Sequence, residues 1–589
     1  MDHKRFMRRG FLVMLLGTVL MLSVSMIVHA QDTTANTTET HSLQHDGFDR
    51  TYQVTLPSSY DGDTALPLVI ALHATGMSGK AMQVLTDFDS AAEANDVIVV
   101  YPNSISAGWN SGLDTDPDAP HDAEFMQVLI AQLQNEYAID PDQINLTGFG
   151  SGGLLAAQVG CDVPDQINSV AVVGPMLWSF FADTCAGEAD APVNILFVHG
   201  DSDPIYPILG DAQSGIWSVQ RSLDFWAERN GCDADARTSD GNLLVYDDCP
   251  TGGNITLYTV FEGGHIWPRI GDYALNQLGI DATELVTNYF LREDDSTDWS
   301  IAQETPFSER SRGFVFYVPT TYDGSEPLPA IVLLHGKGGV GYQTAASSEM
   351  IPIAEREGII MIYPDGVGNE WQYMKDVPIF REPGFDDTDF IRDLVSDLSQ
   401  DLNIDPQRIY AAGISNGGFM TQRLACTATD VFAAYASVIA SGYYAMDVIC
   451  EDQPPVPIMF VHGSGDPIVP WNGSPVQTQN GTLYISLPIP QTIEFWAMHN
   501  GCSPDTSRRA DVEPTREDTS VSIFDIPDCE DNGRVLLYAI INGGHTWPGV
   551  DWDYEEVLGL TNFDINAGEE IWKFFQQYTL SGTIETSEN

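Results

Sequence analysis

"GISNGG", residues 413–418, follows the apolar run "RIYAA" (408–412) and leads into "FMTQRLAC" (419–426), whose apolar residues have helical spacing. A strand that turns straight into a helix through Gly-x-Ser-x-Gly has the form of a nucleophile elbow. Such a turn is tight and strained, so Gly413 and Gly417, two residues either side of Ser415, must lack side chains. "AIVLLHG" (330–336), "GIIMIYP" (358–364) and "PIMFVHG" (457–463) are continuous apolar runs, as expected of strands buried on both faces. Between them lie amphipathic stretches such as "TDFIRDLVSDLSQDL" (388–402). Strands alternating with helices predict a mostly parallel sheet covered by helices on both faces, with function at the carboxyl ends of the strands.

A serine at such a turn needs a base, and the base needs an orienting acid. His545, in "INGGHTWPG" (541–549), sits on a glycine-rich loop after the strand-like "VLLYAI". Asp466, in "FVHGSGDPIVP" (460–470), follows another strand end. Taken singly, Asp466 reads as a turn cap and His545 as a local hydrogen-bonding residue. Together they give the chain order Ser, Asp, His of α/β-hydrolases. An acyl-transfer site also needs N–H donors for a developing oxyanion. The candidates are the backbone of Asn416, at the helix start, and of Gly336–Lys337 in "LLHGKGG" (333–339), a stretch that otherwise reads as a plain turn.

The same pattern occurs twice. Sliding the chain by 262–265 residues aligns "LPSSYDGDTALPLVIALHATG" (56–76) with "VPTTYDGSEPLPAIVLLHGKG" (318–338), and "ILFVHGDSDPI" (195–205) with "IMFVHGSGDPI" (458–468). "LYTVFEGGHIWP" (257–268) aligns with "LYAIINGGHTWP" (537–548) at the larger offset of 280 residues. This predicts two tandem α/β-hydrolase domains, 45–291 and 306–580, joined by the charged linker 292–305. At 589 residues the chain is too long for one ordinary core, which agrees. In the first copy Asp203 and His265 match the acid and base, but Gly150 stands where Ser415 should be. Ser151 is a poor substitute, because Phe149 would occupy the position that a tight elbow reserves for glycine. Ala74 replaces Gly336. The first copy is therefore expected to be catalytically degenerate. It would either bind polymer or carbohydrate in an open cleft near Trp109 and Trp267, or act as a scaffold.

Each copy has four cysteines: Cys161, Cys185, Cys232 and Cys249, then Cys426, Cys450, Cys502 and Cys529. Four cysteines allow three pairings per copy, and the local ones, 161–185, 232–249, 426–450 and 502–529, are favoured. Zinc binding would call for close cysteine pairs, which are absent; no metal or cofactor is expected. The N-terminus has a basic start, an 18-residue apolar run and "VHA" before Gln31. It reads as a signal peptide over 1–30, with an uncleaved membrane anchor as the alternative, followed by a disordered leader over 31–44. Acidic residues outnumber basic ones 84 to 25, giving a net charge of −59, which excludes nucleic acid as a partner by repulsion.

The second copy resembles the secreted esterase family of polyhydroxybutyrate depolymerases, feruloyl esterases and acetylxylan esterases. The resemblance rests on "YVPTTYDG", "LLHGKGG", "YPDGVGNEW", "DDTDFI", "IDPQRIYAAGISNGGFM", "FVHGSGDPIVPW" and "GGHTWPG", between 312 and 577. It implies an extracellular, two-step ester hydrolase with Ser415 as nucleophile, His545 as base and acid, and Asp466 as orienter. The implied substrate is an ester, polymeric as in plant cell-wall polysaccharide or a polyhydroxyalkanoate, with Trp371 and Trp547 bordering its subsite. Lys337 departs from the usual residue of many relatives. The competing readings are a serine peptidase on the same fold and a non-catalytic extracellular binding protein.

Overall fold

The computed structural model describes residues 37–583, except 112–118, 186–191, 234–236, 247–248, 251, 262, 269–279, 292–311, 375–385, 479–480, 517 and 551–554. The expected signal peptide and linker lie outside the described residues. In the first half of the chain, ten strands form one sheet. They are β1 (Thr37–His45), β2 (Phe48–Leu56), β3 (Leu66–Leu72), β4 (Ile98–Pro102), β5 (Ile139–Phe149), β6 (Ser169–Val173), β7 (Asn194–Gly200), β8 (Thr238–Asp240), β9 (Leu243–Tyr246) and β10 (Ile255–Val260). The spatial order is β1-β2-β4-β3-β5-β6-β7-β10-β9-β8. From β4 to β10 neighbouring strands run parallel, and antiparallel pairs flank them.

The second sheet contains β11 (Phe314–Tyr317), β12 (Leu328–Leu334), β13 (Ile360–Pro364), β14 (Ile404–Ile414), β15 (Ala434–Val438) and β16 (Pro457–Gly463). After a separate hairpin, β17 (Ser474–Thr478) and β18 (Gly481–Ser486), it continues with β19 (Arg508–Asp511), β20 (Ser520–Ile526) and β21 (Arg534–Ile541). Its order, β11-β13-β12-β14-β15-β16-β21-β20-β19, repeats that of the first sheet from β2 onward. The central strands are buried throughout; every residue of β15 and β16 is inaccessible. Helices cover both sheets, in the α/β-hydrolase manner. The helix Asp387–Asp401 shows how the sequence specifies them: Asp386 caps it by accepting from the Thr388 N–H, and Phe390, Ile391, Leu394 and Leu398 form its buried stripe.

Part of the expected leader is ordered. Thr37–Gln44 belongs to β1, which pairs with β2 along its whole length, from Thr37 opposite Leu56 to His45 opposite Phe48. The sequence signal is Asp46-Gly47, a two-residue hairpin turn, with both residues at positive φ (+50° and +81°). The strand reads as polar because it is a largely exposed edge.

The two sheets share one apolar core. Gly76 abuts the helix Gly341–Ser347, where a Cβ would fall 2.4 Å from that of Ala345. The Ser78 hydroxyl donates to the Val318 carbonyl at 2.6 Å. The cysteines pair locally, Cys161–Cys185, Cys232–Cys249, Cys426–Cys450 and Cys502–Cys529. Among the described residues no helix is long and apolar enough to cross a membrane.

Candidate active site

Ser415 lies between the end of β14 and the helix Asn416–Thr427, with φ +54° and ψ −113°. This is a conformation that a non-glycine residue holds only when its surroundings force it. The forcing is steric. A Cβ on Gly413 would lie 2.2 Å from the Gly417 carbonyl oxygen, and one on Gly417 would lie 2.4 Å from that of Leu334. The elbow is thus folded hard against the end of β12, and only glycine fits at either side.

Asp466 follows β16, and His545 follows β21, its neighbour in the sheet. The Ile468 and Val469 N–H groups both donate to Asp466 Oδ1 at 2.8 Å. The other oxygen, Oδ2, meets His545 Nδ1 at 2.7 Å. With Nδ1 donating to a carboxylate, the neutral ring keeps its lone pair on Nε2. Both residues are buried, Asp466 at 5% and His545 at 6% exposure. Below them His462 donates from Nε2 to the Val469 carbonyl at 2.9 Å. Burial pulls its pKa down to about 4, so it brings no charge next to Asp466 at neutral pH.

The loop after β12 passes beside the serine: a Cβ on Gly336 would sit 3.6 Å from Ser415 Cβ. His335 fixes this loop. Its Nδ1 donates to the Gly336 carbonyl at 2.7 Å, and its Nε2 accepts the Gly366 N–H at 2.8 Å. Burial lowers the pKa of this imidazole and keeps the tautomer that both bonds require. Among the described residues the backbone N–H groups of Lys337 and Asn416 have no hydrogen-bond partner. The Lys337 ammonium points outward to Glu370, 2.7 Å away.

The two expected subsite tryptophans are placed differently. Trp371 is 1% and Trp547 0% exposed, so both are core residues and neither borders an open subsite. Trp371 instead ties the site together. Its indole N–H donates to the His335 carbonyl at 3.1 Å, and its backbone N–H donates to Asn416 Oδ1 at 2.7 Å. Asn416 thus holds Trp371 through its side chain, a role the elbow motif alone does not reveal. The signal was the aligned Trp109–Trp371 pair, each downstream of a strand-end histidine.

The first sheet carries the same arrangement without the hydroxyl. Gly150 has φ +54° and ψ −124°. Asp203 Oδ1 accepts from the Ile205 and Tyr206 N–H groups, at 2.8 and 2.9 Å, and Oδ2 meets His265 Nδ1 at 2.8 Å. A Cβ on Gly150 would lie 3.4 Å from His265 Nε2, but only 3.0 Å from Ala74 Cβ. Ser151 falls in the helix rather than at the tip, and its hydroxyl is buried without a partner. Aromatic rings enclose His265: Phe149 at 4.9 Å, Tyr206 at 5.5 Å and, from the other half of the chain, Tyr342 at 6.5 Å between centroids. Among the described residues no open cleft forms at Trp109 or Trp267. They are 6% and 2% exposed, and their indole N–H groups are bonded to the His73 carbonyl and the Thr283 hydroxyl. The opening beside His265 is instead a cavity of about 490 Å³, bounded on its far side by Arg312, Gly313 and Asp365–Asn369 of the second half.

Comparison with known proteins adds three findings. A profile of the prolyl oligopeptidase family matches residues 346–453, a stretch that holds the Ser415 elbow but neither Asp466 nor His545. The chain is 28% identical over 278 residues to the putative esterase NocK of Nocardia uniformis subsp. tsuyamanensis, covering 46% of this chain and 80% of that one. It is also 28% identical over 245 residues to the probable feruloyl esterase C of Aspergillus terreus, covering 40% and 82%. Among solved structures, the acetyl xylan esterase from Aspergillus awamori aligns over 40% of this chain and 96% of that one, at 15% identity and a TM-score of 0.31. The chain is thus similar to proteins named as esterases.

Proposed function

We propose that this chain is a serine carboxylic-ester hydrolase that acts through an acyl-enzyme on Ser415. The observation that carries the reading is the 2.7 Å bond between His545 Nδ1 and Asp466 Oδ2, at strand ends of the same sheet whose β14 leads into a serine held at φ +54°. The distance of 3.4 Å from the Gly150 Cβ position to His265 Nε2 supports it, because that is the reach such a frame gives between elbow and imidazole. In the reaction, Nε2 of His545 accepts the Ser415 proton as Oγ attacks the ester carbonyl. Asp466 stabilises the imidazolium, and the Lys337 and Asn416 N–H groups receive the oxyanion, each donor being worth about 3 kcal/mol of barrier. The imidazolium then protonates the leaving alcohol. A water deprotonated by His545 releases the acid.

The finer features belong to the same proposal. The four disulfides and the N-terminal sequence support an exported enzyme. The relatives' names support aryl or polysaccharide-linked esters as substrates. The common strand order supports a duplicated domain whose first copy lacks the nucleophile. A serine peptidase is the second reading, favoured by the profile match over 346–453. The test is a fluorophosphonate label with p-nitrophenyl acetate and butyrate turnover, set beside a peptidyl-proline amide substrate. The ester reading expects labelling and ester turnover, both lost in Ser415→Ala. Amide turnover exceeding ester turnover would select the peptidase, and labelling that survives Ser415→Ala would end both readings.

A further inference from the structure

Away from both strand-end clusters, the side chains of His45, Asp46 and Glu124 meet at the edge of the first sheet, and His121 is bonded to Asp46 beside them. The β1–β2 hairpin carries His45 and Asp46 at its tip. Opposite it the helix Asp122–Glu136 begins, with His121 immediately before it and Glu124 in its first turn. One ligand atom from each of His45, Asp46 and Glu124 lies within 4.8 Å of the other two. Asp46 Oδ2 is 2.8 Å from His121 Nδ1 and 3.2 Å from His45 Nε2. The second contact is not a hydrogen bond: His45 Nε2 is shielded from solvent and has no hydrogen-bond partner, its side chain being 11% exposed. The nearest buried cation, Arg50, is matched by Asp122 at 2.6 Å. What bounds the gap is therefore the His45 imidazole and two carboxylates, one of which is bonded to the His121 imidazole.

We propose that His45, Asp46, His121 and Glu124 bind one Zn²⁺ ion. The donor set is mixed nitrogen and oxygen, which suits zinc, whereas calcium and magnesium take oxygen alone. Zinc bonds of about 2.1 Å in a tetrahedron place neighbouring donors about 3.4 Å apart, close to the spacings around Asp46 Oδ2. The ligands come in pairs from two elements, so the ion clips the N-terminal hairpin to the helix. It is structural and stands apart from the ester chemistry. The second half has no equivalent, since the aligned positions are Phe307, Ser308, Asp386 and Asp389.

The experiment uses the full chain, stripped with a chelator and titrated with Zn²⁺ and, for its visible spectrum, Co²⁺. A protein of net charge −59 collects cations non-specifically, so variants decide the matter. One equivalent of Zn²⁺ is expected to bind without competition from Mg²⁺ or Ca²⁺ and to raise the unfolding temperature. Affinity should fall at least tenfold in His45→Ala and in His121→Ala, with loss of the Co²⁺ absorption. Asp46→Asn, which keeps a residue tolerant of positive φ, should weaken binding in the same way, and ester turnover reports that each variant is folded. Equal Zn²⁺ uptake by wild type and folded variants, or displacement by Mg²⁺, would overturn the proposal.

Discussion

The ends of the two sheets hold the same acid–base pair, at 2.8 Å in the first and 2.7 Å in the second, beside elbows whose φ is +54° in both. They differ in what surrounds the imidazole. Ile414 and Val469 of the second half correspond to Phe149 and Tyr206 of the first, and Tyr342 closes on His265 from outside. The elbow geometry persists without its hydroxyl because glycine packing sets it. A Cβ on Gly152 would meet the Leu72 carbonyl oxygen at 2.3 Å, just as one on Gly417 meets that of Leu334 at 2.4 Å. In the first half aromatic rings crowd His265, and the cavity beside it is bounded on its far side by the second half.

The largest effect that separates the halves is on turnover. Ser415→Ala should lower ester hydrolysis on the order of a millionfold, to the level of a triad without its nucleophile. His265→Ala should leave turnover within about twofold, since His265 faces a glycine. A loss of more than tenfold in His265→Ala, with the protein folded by circular dichroism, would show that the first half takes part in the reaction. A sharper cut restores the missing hydroxyl. Gly150→Ser in the Ser415→Ala background should not regain fluorophosphonate labelling, because Ala74 Cβ lies only 3.0 Å from the position of the new Cβ and crowds the side chain. Labelling at residue 150 would mean that one hydroxyl was all the first half lacked.

The sequence made the elbow, the order of acid and base, and the cysteine partners legible, because each is fixed locally by glycine, strand-end or loop chemistry. It also carried the strand alternation, since strands buried on both faces are apolar along their length. It could not show that Trp109, Trp267, Trp371 and Trp547 are buried. A tryptophan beside a motif looks the same whether its indole meets a carbonyl or a ligand, and here the His335 and His73 carbonyls take two of the indole protons. Nor could it show that Tyr342 reaches His265, a contact between residues 77 positions apart that depends on how the halves pack. β1 was missed because an exposed edge strand has no apolar alternation, although Asp46-Gly47 marked its turn.

If glycine packing holds both elbows, its removal should destabilise both halves. Gly413→Ala and Gly148→Ala each place a Cβ 2.2 Å from backbone atoms of the glycine four residues on. Each should cost about 3 kcal/mol in denaturant unfolding, the upper end of the usual range for overpacking. A cost under 1 kcal/mol at residue 148 alone would mean that the first elbow is packed more loosely than the second.

The smallest effect is a shared dependence on pH. His73 in the first half and His462 in the second are each buried, and burial lowers the pKa of each to about 4 from an ordinary 6.5. Between those values the unfolded chain binds protons that the folded chain refuses, so stability rises with pH through this window and falls as pH drops from about 6.5 to about 4. Each group should account for roughly 1 kcal/mol of the loss between pH 7.5 and 5.5. His73 donates from Nδ1 to the Ala74 carbonyl and accepts the Ser104 N–H, bonds that a protonated ring cannot make together. His73→Gln and His462→Gln should therefore each remove roughly 1 kcal/mol of this pH dependence, whatever they do to stability at pH 7.5. If His462→Gln flattens the profile and His73→Gln does not, the loop after β3 already admits water, and the two halves differ in solvation as well as in their serine.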